Sequence, residues 1–288
     1  MTQLQRDIPR PAFDGRVVRT DVDDGLTRVL GEHIASDAFR RESSVLKGGE
    51  RSAVWRGPSG QLGETLGCEE LVVKTMRLDG FKDRVKMITG ATRHVRQWRG
   101  AETIDRAGLF TVRCFAIVRG TDDRGRTIES LVMARMDAPT LLEQMADDTM
   151  TLDHRRALAK AVGRSVGTLA MRGVRHRDHK PSNVLVRWEG DVPLLFHVDT
   201  VGVSGRVRGR HEAEAFVRIE EMLFALHVES VGCGVEASVY DRMRATRSAI
   251  VATGPSAVVE GARAEMWSRL GARLAAHGDP RPRVDPLG

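Results

Sequence analysis

Aromatic residues are scarce. Eight Phe, four Trp and one Tyr make up 5% of the 288 residues, too few for a base-stacking surface on single-stranded nucleic acid. Cysteine is scarcer still. Cys68, Cys114 and Cys233 stand far apart with no C-x-x-C pair, which excludes a disulfide framework and a cysteine-rich zinc site and fits a reducing compartment. No run approaches the ~18 apolar residues a membrane-spanning helix needs. The opening MTQLQRDIPRPAFDG lacks the apolar stretch of a secretory signal. Lysine occurs only at 47, 74, 82, 86, 160 and 180, so 39 of the 45 cationic residues are arginine.

What is present is ordinary globular material. Hydrophobic residues make up 41% and charged residues 29% of the chain, a composition that buries a core rather than staying disordered. The length suits one large domain or two lobes. The net charge of +6 is carried on guanidinium groups, which suit phosphate and carboxylate partners. Nucleic acid, an anionic membrane surface and a phosphorylated substrate are the partner classes this charge allows. A coding bias that places arginine on solvated faces accounts equally well for most of the arginines.

The pattern changes along the chain. Residues 1–25, with prolines at 9 and 11, read as a loosely packed arm, and residues 26–40 as a short helix. Val45-Leu46 and Ala53-Val54-Trp55 flank Lys47-Gly48-Gly49-Glu50-Arg51-Ser52, which predicts strand, glycine turn, strand. Leu71-Val72-Val73-Lys74 predicts a strand closing on its lysine. Residues 83–107 predict one amphipathic helix ended by Gly108. Thr111–Val118 and Thr127–Met136 predict two strands. Asp153–Arg172, with Leu158, Val162, Val166 and Leu169 on one face and Gly173 after it, predicts a long helix. Two short strands around Glu189-Gly190-Asp191 follow, and 211–228 and 234–277 read as mainly helical. The tail beyond Gly278 reads as frayed. A β-rich half to about residue 136 is thus followed by an α-rich half, and a junction of that kind favours a small-molecule cleft.

The octet His176-Arg177-Asp178-His179-Lys180-Pro181-Ser182-Asn183 lies between the long helix and the short hairpin. It resembles the catalytic loop H-R-D-x-K-x-x-N of the protein-kinase-like fold. The chemistry accounts for the spacing. A carboxylate accepts the proton of an attacking hydroxyl, and an amide five residues on turns back from the same loop onto a metal ion. Lys180 reaches phosphoryl oxygens as charge develops on them. Asp199, in Phe196-His197-Val198-Asp199-Thr200-Val201-Gly202, resembles the metal-binding aspartate of D-F-G, with Thr200 and Val201 in place of Phe and Gly. Lys74 resembles the strand lysine that holds the α- and β-phosphates. Gly48, Gly49 and Ser52 resemble a reduced glycine-rich phosphate loop, and read equally well as a hairpin turn. Two residues compete as the partner of Lys74: Gln97, where related sequences carry Glu, and Glu102, the only Glu in that helix. A neutral partner makes the weaker contact.

The run Arg96-Gln97-Trp98-Arg99 … Ala107-Gly108-Leu109-Phe110-Thr111-Val112 is similar to the helix-to-strand stretch of bacterial lipopolysaccharide kinases, the Kdo- and heptose-kinase group, over about residues 44–228. It departs from their pattern at Gln97 and Phe110. The resemblance implies an α+β, bilobal protein-kinase-like fold, and the residue pattern divides the chain into an arm and short helix (1–40), a β-rich N-lobe (41–136), an α-helical C-lobe (137–278) and a flexible tail (279–288). It implies ATP and Mg²⁺, with a sugar hydroxyl of a lipopolysaccharide core or related glycolipid as acceptor. In that frame Asp178 and Lys180 are catalytic and Asn183 and Asp199 bind the metal. Lys74, Gly48, Gly49, Ser52 and Glu102 serve the nucleotide.

Few residues separate Asp199 from the next helical stretch, and no A-P-E motif stands among them. That leaves little room for the peptide-cradling segment of a protein kinase. Arg206, Arg208, Arg210 and His211 make this loop basic, as suits an anionic sugar lipid on a membrane face. Equally, they read as a solvated loop. The expected location is cytoplasmic, with peripheral contact at the inner membrane face as an option, and no nucleic-acid partner is expected. A Ser/Thr protein kinase and a pseudokinase that binds nucleotide or a partner without turnover are the competing readings.

Overall fold

The computed structural model describes residues 8–205, 212–253 and 256–277. It falls into two compact units. One is Met1–Trp98 with Val112–Asp137, and the other is Arg99–Thr111 with Ala138–Gly288.

The first unit is built on an antiparallel sheet. Strands β1 (Arg16–Thr20), β2 (Ser44–Gly48), β3 (Ser52–Pro58), β4 (Glu70–Arg77), β6 (Cys114–Thr121) and β7 (Thr127–Ala134) lie in the order β1-β6-β7-β4-β3-β2. Helices α1 (Asp24–Ala35) and α2 (Asp37–Glu42) precede β2, and a single turn of helix, α3 (Gly63–Leu66), precedes β4. Alternation along β4 buries Leu71, Val73, Thr75 and Arg77 on one face, the period-2 signature of a strand. Leu71 and Val73 pack with Leu30, Ile34, Phe39, Trp55 and Phe115. Lys74 emerges on the other face, in mid-strand opposite Val54 and Leu131. The strand therefore does not close on its lysine as expected. It runs on through Arg77, because Thr75 and Arg77 continue the buried face.

The loosely packed arm is also corrected over its described part. β1 pairs with β6, and the Pro9 carbonyl accepts from Trp55 Nε1 at 3.0 Å and Thr75 Oγ1 at 2.8 Å. The helix expected over 26–40 is the pair α1 and α2. Ser36 ends the first and caps the second, accepting from Phe39 N at 3.1 Å. The helix expected over 83–107 is likewise two, α4 (Phe81–Ile88) and α5 (Arg93–Arg106). Gly90, at φ 61°, takes the left-handed turn that stops a helix.

The division between the units falls within α5. In the second unit, β5 (Phe110–Thr111) runs parallel to β10 (Val192–His197), which pairs antiparallel with β9 (Val184–Glu189). β8 (Val174–His176) pairs with β11 (Val203–Gly205). Five helices complete the unit: α6 (Leu141–Ala146), α7 (Leu152–Met171), α8 (Glu212–Gly232), α9 (Val239–Val251) and α10 (Ser256–His277). The predicted apolar face of α7, with Leu158, Val162, Val166 and Leu169, is buried with Ile219, Met222 and Ile250. Thr151 caps its start and Gly173, at φ 75°, follows its end. The basic stretch Arg206, Arg208, Arg210 and His211 lies outside the described residues, as does the tail beyond 277.

Candidate active site

The loop after β8 is held by its own backbone. The Asp178 carbonyl accepts from Lys180 N and from Asn183 Nδ2, each at 2.9 Å. Asn183 N donates to the Lys180 carbonyl, and the Asn183 carbonyl accepts from Val198 N, again at 2.9 Å. This last bond ties Asn183 to the chain one residue before Asp199. Because Nδ2 is committed to Asp178, the Asn183 side chain presents Oδ1 as an acceptor.

Asp199 sits at φ 47°, ψ 54°, the only non-glycine with positive φ among the described residues. A left-handed residue with a side chain costs about 1–2 kcal/mol and is found where the surrounding structure enforces it, often at functional sites. Here the enforcement is visible. The turn Thr200–Gly202 follows, the Gly202 carbonyl accepts from Arg177 N at 3.0 Å, and Val203 pairs with His176. The Asp178 loop and the segment after Asp199 are thus stitched together. A Cβ on Gly202 would lie 2.6 Å from Asp178 Oδ2, so that carboxylate rests directly against the glycine.

Arg177 Nη2 donates to Asp178 Oδ2 at 3.0 Å. This hydrogen bond and the Arg177 charge, with lesser help from Lys180, hold the Asp178 carboxyl below its ordinary range despite partial burial. Asp178 is therefore an ionised acceptor at neutral pH, open to solvent over about a third of its side chain. Lys180 is exposed, with Nζ 4.0 Å from Glu229 Oε1.

In the first unit, Lys74 Nζ donates to Gln97 Oε1 at 3.2 Å, and Gln97 is buried on α5. Gln97 is thus a neutral partner of the lysine. Glu102 lies half-buried on the part of α5 that belongs to the second unit. Gly48, Gly49 and Ser52 are exposed at the tip of the β2–β3 hairpin, where Gly49 N donates to the Ser52 carbonyl at 3.0 Å. Arg51 fastens this tip to α4 through Asp83, at 2.6 Å.

Sequence reasoning missed Glu229. From α8 it accepts from Ser182 N at 2.9 Å and Ser182 Oγ at 2.8 Å, clamping the loop between Lys180 and Asn183. A lone glutamate on a long helix carries no local sign of that task. Gly100 was missed as well. A Cβ there would collide with the Thr200 carbonyl, so α5 approaches the turn after Asp199 backbone to backbone.

Residues 40–199, more than half of the chain, match the Lipopolysaccharide kinase (Kdo/WaaP) family. No curated protein matches. Among solved structures, one described as WaaP in complex with acyl carrier protein has 17% identity and a TM-score of 0.58, over 90% of this chain and 99% of that one. At that identity the likeness shows a shared fold. Taken with the family match, it means that this chain belongs to the lipopolysaccharide kinase (Kdo/WaaP) family and is a kinase.

Proposed function

We propose that the chain transfers the γ-phosphoryl group of ATP to a sugar hydroxyl of a lipopolysaccharide core or related glycolipid, in a bilobal protein-kinase-like fold. The observation that carries this reading is the stitched loop. Asp178, Asn183 and Asp199 belong to segments joined by the Val198–Asn183 and Arg177–Gly202 hydrogen bonds.

Asp178 accepts the hydroxyl proton as the oxygen attacks. Its depressed pKa keeps it ionised, and its partial exposure leaves room for the acceptor. Lys180 meets the charge that grows on the transferred oxygens. Lys74 holds the nucleotide phosphates, Gly48, Gly49 and Ser52 serve the nucleotide from the hairpin tip, and Glu102 supports the nucleotide end of the site. Gln97 fixes the lysine without neutralising it. The donor set of Asn183 Oδ1 and the Asp199 carboxylate fits a hard cation such as Mg²⁺, which neutralises phosphate charge when bound. Glu229 keeps Ser182, and with it the loop, in register.

Asp178→Ala is expected to lower kcat by about 10²–10⁴-fold with nucleotide affinity nearly unchanged. Mass spectrometry of the glycolipid fraction after reaction checks the acceptor, and one added phosphate is expected. Phosphate appearing instead on lysate protein would move the assignment to a protein kinase.

Acyl carrier protein, named with the solved WaaP, is a candidate partner here too. The second unit contains a mainly apolar cavity of about 240 Å³, lined by Leu141, Met145, Leu158, Val162, Leu223 and Leu226 together with the charged Arg155, Glu236, Asp241 and Arg242, whose apolar part suits a short stretch of acyl chain. Co-elution with a purified acyl carrier protein is expected, and separate elution rejects the partnership.

A further inference from the structure

Three histidines that the phosphoryl-transfer scheme does not use meet beneath the catalytic loop. His176 ends β8, His179 follows Asp178, and His197 ends β10; all are buried. Their ring centroids are 5.3–6.2 Å apart. One ring nitrogen from each lies within 4.8 Å of the other two. Among the described residues, both nitrogens of His176, Nδ1 of His179 and Nδ1 of His197 are buried with no hydrogen-bond partner. Buried polar atoms are nearly always satisfied, so a cluster of four orphans demands an occupant.

We propose that His176, His179 and His197 form a site for a borderline divalent transition metal such as zinc, which fastens the Asp178 loop to the strand leading into Asp199. The donor chemistry selects the ion. Three imidazoles suit zinc, cobalt or copper and not magnesium, which prefers oxygen. The site is therefore separate from the one assigned to Asn183 and Asp199.

Two further observations agree. Ser165 Oγ lies 3.0 Å from His197 Nε2, as a hydroxyl would that fixes a ligating ring through its other nitrogen and leaves Nδ1 to the metal. Burial pushes the His176 imidazole down to about 4 and the His197 imidazole down to about 3, and lowers that of His179 well below its ordinary value. The rings are thus neutral ligands at physiological pH. The carboxylates of Asp178 and Asp199 both act on His176, so negative charge is at hand to balance a buried cation.

The test uses the full, untagged chain purified without chelator. Elemental analysis should find one zinc per chain, and Co²⁺ added after chelation should give a tetrahedral visible spectrum. Ser165→Ala should weaken metal affinity by about 10–100-fold, His179→Phe should abolish binding, and His154→Ala, at the exposed start of α7 beside Asp191, should leave it unchanged. Absence of bound zinc together with absence of a cobalt spectrum would overturn the site in favour of buried water. Retained binding in His179→Phe, or an unaltered affinity in Ser165→Ala, would overturn it also. If His179→Phe fails to fold, the wild-type cobalt spectrum and the Ser165→Ala affinity decide.

Discussion

Glu129 has no solvent-exposed surface, yet it stays charged. Arg119 donates to Oε2 through Nε at 3.0 Å and Nη2 at 2.8 Å, and His94 Nδ1 lies 3.4 Å from Oε1. Burial raises the carboxyl pKa, but the neighbours outweigh it, His94 foremost, and leave the pKa below the ordinary 4.5. Because the folded value is depressed, the stabilisation is complete above 4.5 and fades as the pH falls through the lower folded value. Denaturant titrations over a pH series should show this acid loss in the wild type and a shallower one in Glu129→Gln. Arg119→Ala removes the cationic partner that donates twice to this buried carboxylate and should destabilise by about 3–5 kcal/mol at neutral pH. Gly202 offers a prediction about activity. Gly202→Ala forces Asp178 Oδ2 away from its seat, so kcat should fall while the thermal midpoint changes little; equal losses of both would place the effect on folding. Neither Arg119 nor His94 announces its partner in the sequence, whereas Asp178 does, because its signal is an octet of neighbours and theirs is a contact across strands and a helix.

Among the elements, α7 and α9 pack most intimately. Gly163 and Gly167 lie four apart on α7, and a Cβ on either would run into the carbonyls of Ala245 or Ala249 on α9. Helices approach this closely only where side chains are missing. Gly167→Ala therefore cannot be absorbed by a rotamer change and should destabilise by about 1–3 kcal/mol, read as a lower urea midpoint with an unchanged slope. Gly271 on α10, with nothing within 4 Å of its would-be Cβ, is the control and should tolerate alanine. The apolar face of α7 was readable from its 3.6-residue period. Its glycine face was not, because a missing side chain leaves no periodic mark and its meaning depends on what packs there.

For the molecule as a whole, the net charge of +6 sits on arginine, and no helix among the described residues is long and apolar enough to cross a membrane. If the acceptor is a glycolipid, the enzyme works at a charged surface. Sedimentation with vesicles of anionic lipid should carry the chain down at low salt and release it at high salt, since such attraction is worth about 1 kcal/mol per well-placed basic residue and is screened over roughly 10 Å at 0.1 M salt. Equal sedimentation with neutral vesicles would argue against an electrostatic attachment.

By itself the sequence determined what short-range chemistry can encode. It specified the octet around Asp178, the hairpin tip at Gly48-Gly49, the strand bearing Lys74, and the long helix ended by Gly173. Each is a pattern of neighbours whose steric and hydrogen-bonding preferences act within a few residues. Tertiary structure alone decided which distant groups meet. It split one predicted amphipathic helix at Gly90, drew the N-terminal arm into the sheet, set Glu229 on Ser182, and gathered His176, His179 and His197 in one buried cluster. Those meetings follow from strand order and helix packing, which are settled by burying a common core and leave no trace in the spacing of the residues they bring together.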